Sequence, residues 1–420
     1  MRRLGPHRVW LAYKGLDSFS LALGWTLAPV FFVTELGLSP LELVLAGTAL
    51  EVAYFLFEVP TGIVADTYSR RASMVVAMVV MGAGFVATGF AGGVVVVLAA
   101  AALTGFGWTF KSGAEDAWLA DEVGLENVSR SYQRGAQAAR AGALAGICSA
   151  VGLALVDLRA PVVAGGVAFV LLGALLALLM PETGFRPARH DGVGAFRAMA
   201  RTGAQGGRLL RGRPLLLLIV GIAFFAGMWG EGLDRLWEAH FLVDVGVPGF
   251  GDLDPVVWFG VLNAGVLLLA IVVAQPLQRR FERLGRVAMT RLLLGFDALS
   301  IAGTLAFAFA GAFALAVAAF WATRVVRSLA GPVYATWLNT SVDDSTVRAT
   351  VISMTNLGDS AGEWGGGPAL GALGNTFGIR TALAAGAAAL VPALGLYARA
   401  LKHEGRTAAL SVTAQPAEGP

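Results

Sequence analysis

Nine carboxylates sit inside stretches otherwise built from Ala, Gly, Val, Leu and Phe: Asp17, Glu51, Glu58, Glu115, Asp116, Glu231, Asp234, Asp359 and Glu363. Basic side chains keep them company, with Lys14 near Asp17, Lys111 beside Glu115, Arg235 beside Asp234, and Arg140, Arg324 and Arg327 in runs of their own. A charge held among apolar residues costs several kcal/mol unless it faces water or a partner, so each marks a path for a polar solute or proton, or an internal ion pair. The spacing is helical: Glu51 and Glu58 stand i, i+7 on a face that continues to Gly62, Lys111, Glu115 and Trp118 form one stripe, and Asn356, Asp359 and Glu363 form another. Lys111 and Glu115, four residues apart, read equally as a self-satisfying ion pair and as a cavity wall. Asp17, Glu58 and Asp116 have few cations near them in sequence, which suits them to take up and release a proton. Arg140 and Arg327 read as partners of these acids or as anchors for an anionic solute. Glu231, Asp234 and Glu238 read equally as a solvated rim. Tyr54 and Trp108, on the same runs, suit stacking against an organic solute or anchoring at an interface.

Other chemistry finds little support. His7, His190, His240 and His403 are scattered, Cys148 stands alone, and neither metal-ligand spacing nor a phosphate-cradling loop occurs, so we expect no metal, no cofactor and no enzyme activity.

The elements that must position these charges follow from composition. Of 420 residues, 56% are hydrophobic and only 14% charged, with a mean hydropathy of +0.70. Soluble domains carry about a quarter charged residues, and barrel strands alternate instead of running apolar. Apolar runs fall near 9–35, 41–65, 72–92, 94–120, 134–156, 161–180, 214–243, 255–277, 287–310, 312–339, 349–373 and 379–401. Each approaches the roughly 20 residues that cross a bilayer, so the chain reads as an all-α polytopic membrane protein with twelve spans. The basic start Met1–Arg8 resembles that of a signal peptide, but Lys14 and Asp17 interrupt the following run, and we expect an uncleaved first span.

If the spans alternate, Arg2, Arg3, Arg8, Arg70, Arg71, Arg130, Arg134, the arginines of 181–213, Arg279, Arg280, Arg283, Arg286, Arg348, Arg399, Lys402 and Arg406 share one side. Only Arg159 and Arg380 lie opposite, so both termini are expected in the cytoplasm of a chain crossing the inner (cytoplasmic) membrane. That segregation also accounts for the pI near 9.2 without a nucleic-acid partner. Residues 1–180 form one expected six-helix bundle, 181–213 a basic linker, 214–401 a second bundle, and 402–420 a disordered tail. An internal repeat supports the division. Gly15-Leu16-Asp17 returns as Gly232-Leu233-Asp234, an offset of 217 (232 minus 15), and Trp118-Leu119 returns as Trp337-Leu338, an offset of 219 (337 minus 118).

Between the second and third spans stands Glu58-Val-Pro-Thr-Gly62-Ile-Val-Ala-Asp66-Thr-Tyr-Ser-Arg70-Arg71, in which Gly62 would let two helices approach closely. Its pattern Gly-x-x-x-Asp-x-x-x-Arg-Arg resembles the loop signature of the major facilitator superfamily of secondary transporters, with Thr67 and Ser69 at positions where members usually carry a basic residue and a Gly. The resemblance implies two pseudo-symmetric six-helix bundles with a solute site between them. By it, the first, fourth, seventh and tenth spans line the cavity and the second, fifth, eighth and eleventh flank it. Asp297, in the lipid-facing ninth span, is the exception, with Arg291 or a group on a neighbouring helix as its expected partner. The signature further implies a gating latch in which, in the inward-closed or outward-open state, Asp66 pairs with Arg130 or Arg134 and caps the eleventh span, while Arg70 meets Asp121 or Glu122 and Arg71 stands beside it. Gly362–Gly371, containing Pro368, resembles the Gly-Pro-x-x-Gly element of drug/proton antiporters, displaced into the other half. What this implies is a monomeric, proton-coupled exporter of a small organic compound, with the proton gradient as coupling ion and protons and the lipid bilayer as its other partners. A metabolite importer or uniporter of the same fold is the principal alternative. A lysolipid flippase and a non-transporting receptor rank lower.

Overall fold

A computed structural model describes residues 5–187, 214–249, 254–281, 284–342 and 345–413, so most of the expected linker, including Arg189–Arg213, lies outside the described residues. In chain order the helices are α1 (Pro6–Trp25), α2 (Ala28–Thr34), α3 (Pro40–Thr67), α4 (Arg70–Gly89), α5 (Val94–Val123), α6 (Leu125–Ala154) and α7 (Ala160–Leu179). They are followed by α8 (Pro214–His240), a π-helical segment Phe241–Val245, α9 (Val257–Phe281), α10 (Arg286–Ala308), α11 (Phe313–Ser341), α12 (Ser345–Phe377) and α13 (Ile379–Thr413). Nine of the described segments are long and apolar enough to cross a membrane. The other three expected spans are present as α6, α9 and α12, helices made less apolar by their charged and small polar residues.

Helix starts follow local chemistry. Ser39 caps α3 by accepting the Glu42 backbone N–H at 3.4 Å while the Glu42 carboxylate accepts the Ser39 N–H at 2.8 Å, a reciprocal box with Pro40 in the first turn. Ser69 accepts the Ala72 N–H at 2.9 Å at the head of α4. The first span is two helices instead of one, because Pro29 offers no N–H to the carbonyl four residues back and its ring crowds that position.

The chain divides into two compact units. One comprises Met1–Ala200 and Phe241–Leu267, the other Arg201–His240 and Leu268–Pro420. Phe241–Leu267 thus clusters with the first unit, although the sequence pattern groups it with the second. Within the first unit α1 runs along α6 and α7, and α5 carries α3 and α4. Lipid tails are as apolar as side chains, so close packing of small residues has to hold such helices together. Gly142 of α6 lies so close to the Gly15 carbonyl of α1 that a β-carbon would overlap it. Within the second unit α8 runs along α12 and α13, and α10 packs on α11 and α13. Gly362 of α12 meets the Phe224 carbonyl of α8 in the same way.

Part of the expected tail is helical, residues 402–413 continuing the last helix, while 414–420 lie outside the described residues. α13 continues to Thr413, and Glu404 within it is only 6% exposed, accepting hydrogen bonds from Thr290 Oγ1 at 2.9 Å and Trp337 Nε1 at 3.2 Å. A buried acid with two donors anchors a stretch whose composition alone had suggested disorder.

Candidate functional site

Each unit holds its own charge cluster. In the first, Asp17 of α1 and Lys111 of α5 are each 4% exposed, and Lys111 Nζ donates to both carboxylate oxygens at 2.7 and 2.8 Å. The ammonium also lies 4.8 Å from the ring centre of Trp108. Lys111 therefore does not pair with Glu115, because the α1–α5 crossing offers it a closer acid. Glu115 instead accepts the Tyr13 hydroxyl at 2.5 Å and lies 3.5 Å from Lys14 Nζ. Asp17, for which the sequence offered few nearby cations, is paired through both oxygens with Lys111. Glu58 is exposed and accepts the Tyr54 hydroxyl at 2.9 Å. Glu51 and Arg140 are half-buried and Asp116 is exposed.

In the second unit Asp234 of α8 is gripped by two arginines of α11, Arg324 at one oxygen and Arg327 at the other, the latter at 2.6 Å. The guanidinium of Arg327 lies 5.5 Å from the Trp229 ring and that of Arg324 5.2 Å from the Phe320 ring. Gly230 and Gly227 make the room. A β-carbon on Gly230 would stand 3.0 Å from Arg327 Nη2, and one on Gly227 would stand 2.9 Å from Asp359 Oδ1 of α12. Asp359 and Glu363 both act electrostatically on Arg327. Glu231 pairs with Arg235 at 3.0 Å. Glu231 and Glu238 are 4% and 5% exposed, so these acids are not a solvated rim.

The two clusters are copies. Asp17 and Asp234 are offset by 217 residues, and Lys111 and Arg327 by 216 (327 minus 111), so the same carboxylate–cation pair recurs at the crossing of matching helices. Arg324 was missed as a site residue; its position one turn before Arg327 was the available signal.

The loop signature forms one limb of the expected latch, Arg70 on Asp121, and not the pairing of Asp66 with Arg130 or Arg134. Arg70 lies 3.6 Å from Asp66, donates to the Ala117 carbonyl at 2.8 Å and pairs with Asp121. Arg130 and Arg134 are exposed on α6, and among the described residues no ion pair joins either to Asp66. Glu122 turns away to accept the backbone N–H groups of Thr183 and Gly184 at 2.5 and 2.7 Å. Arg71 donates to the Ala177 carbonyl. Gly62 has nothing within 4 Å of where a β-carbon would be, so no close approach explains it. Asp297 does not pair with Arg291 either; its Oδ2 is buried without a hydrogen-bond partner.

No cluster of three or more metal-ligating side chains occurs among the described residues. A family model described as Major Facilitator Superfamily matches residues 15–363. The chain belongs to the major facilitator superfamily. It is therefore a multi-pass membrane transporter, not an enzyme. Among solved structures, a bacterial homolog of the human lysosomal transporter Spinster, inward-facing and unoccupied, aligns with a TM-score of 0.73 at 14% identity, covering 94% of this chain and 96% of its own. The nucleoside transporter NupG aligns with a TM-score of 0.75 at 14% identity, covering 95% and 100%. A POT family transporter in complex with a thioalcohol-conjugated peptide aligns with a TM-score of 0.69 at 12% identity, covering 95% and 96%. At these identities the likeness is one of fold. Comparison with curated protein sequences yields no match.

Proposed function

We propose that this facilitator is a proton-coupled exporter of small organic compounds that works by alternating access as a monomer, in the cytoplasmic membrane with both termini in the cytoplasm. The observation that carries the reading is the paired cluster, one copy in each unit, in which an acid, buried in the first copy and half-buried in the second, is neutralised by a cation on a neighbouring helix. Such a pair is a two-state element. A proton taken up by Asp17 releases Lys111, and its departure restores the pair, so proton binding and helix contacts are linked. We place the coupling proton on the first copy, where Asp17 has one cation to release, whereas Asp234 is held by two arginines.

Charge balance favours a solute that is itself positive. On the helices of the first cluster the candidate site residues are five acids (Asp17, Glu51, Glu58, Glu115 and Asp116) and three cations (Lys14, Lys111 and Arg140). On the helices of the second, Glu231, Asp234, Glu238, Asp359 and Glu363 accompany Arg235, Arg324 and Arg327. A surplus of two carboxylates in each is best offset by protons or by a cationic solute. The number of charges also disfavours a lipid flippase, whose cavity wall would need to be apolar.

The test uses the purified chain in proteoliposomes loaded with a pH-sensitive dye. Adding tetraphenylphosphonium, a nucleoside or a dipeptide in turn should provoke a proton flux with the organic cation. A flux of solute that moves no protons under an imposed gradient would reduce the protein to a uniporter.

A further inference from the structure

A cavity of about 380 Å³ opens between the head of α4 and the tail of α7, away from both charge clusters. Its walls are of two kinds. Ala72, Val75, Val76 and Ala177 are apolar, while Arg71 and Glu182 are charged. We propose that this cavity binds the headgroup of a zwitterionic phospholipid, phosphatidylethanolamine, with the phosphate on Arg71 and the ammonium on Glu182.

The apolar wall does not stop at the cavity. It continues along the same two helices into Val79, 44% exposed, and Leu178, 66% exposed, a surface that acyl chains cover in a membrane protein. The charged end is held in place. Arg71 donates from Nη2 to the Ala177 carbonyl, which orients a guanidinium whose five N–H groups leave donors for a phosphate. Glu182 is fixed as well, accepting Ser69 Oγ at 2.7 Å and the Arg71 backbone N–H at 3.0 Å. Each carboxylate oxygen keeps a lone pair for a further donor. The cation and the anion line the same cavity, so the ligand that satisfies both carries an anion and a cation a few bonds apart. An ethanolamine phospholipid does; a glycerol phospholipid offers only the anion.

The experiment is native mass spectrometry of the full chain, extracted from nanodiscs containing equal amounts of phosphatidylethanolamine and phosphatidylglycerol. The wild type should retain one ethanolamine lipid per chain in preference to the glycerol lipid. Arg71→Ala should lower that retention at least tenfold. Ala72→Trp, which fills the cavity from an exposed helix position and leaves Arg71 and Glu182 in place, should do the same and guards against a folding effect of the first variant. Glu182→Gln should abolish the preference between the two lipids. Equal retention of both lipids by the wild type, retention by both cavity variants at the wild-type level, or an intact preference in Glu182→Gln would overturn the proposal.

Discussion

Replacing Lys111 with Met removes the one ion-pair partner of Asp17 among the described residues and leaves a buried carboxylate without it. The side chains of the pair are 5% and 6% exposed, so water cannot take over the lost contacts. Breaking a buried pair from one side costs about 3–5 kcal/mol, because the surviving charge keeps its desolvation penalty and loses its compensation. Loss of the ammonium over Trp108 adds about 0.5–2 kcal/mol. The double variant Asp17→Asn with Lys111→Met removes both charges and should return to within about 1 kcal/mol of wild type, since neutral replacements of a buried pair are often tolerated. Equilibrium unfolding in mixed micelles of the wild type, both single variants and the double variant closes a cycle whose interaction term should exceed about 2 kcal/mol. Single variants that cost less than about 1 kcal/mol, or a double variant whose cost is the sum of the two, would refute the pairing.

The remaining predictions concern the ends of the helices. Glu404→Ala strips Thr290 and Trp337 of a buried acceptor and should destabilise the chain by about 1–3 kcal/mol in the same unfolding assay, without changing the transport rate of the fraction that stays folded. Asp66→Asn should abolish transport while leaving membrane insertion and unfolding unchanged, because its acid is half-exposed and loses only a 3.6 Å contact with Arg70. Membrane fractionation and solute flux measure the two outcomes separately.

The fold was legible because apolar runs of bilayer length are a property of local sequence. The charge clusters were legible as a set but not as pairs. Lys111 and Glu115 are neighbours on one helix, and local spacing makes them partners; Asp17 lies 94 residues away, and only the crossing of α1 over α5 brings it closer. An offset one residue shorter than that between Asp17 and Asp234 matches Lys111 to Arg327, but an Arg in place of a Lys hides the second match from residue identity. Glu404 was unreadable for a different reason. Its partners, Thr290 and Trp337, lie on α10 and α11, and nothing in the charged sequence around it marks a helix that stays packed. Gly62 shows the converse. A glycine within a helical run suggests close packing, yet the space around it is open.

The measurement that bears most directly on the central claim is gradient-driven flux of tetraphenylphosphonium, with its accompanying proton movement, in proteoliposomes of wild type, Asp17→Asn and Asp234→Asn. Coupling through the paired clusters predicts that Asp17→Asn loses gradient-driven solute movement and its proton flux together, and that Asp234→Asn loses transport while remaining folded. Wild-type rates and wild-type proton movement in both variants would contradict it.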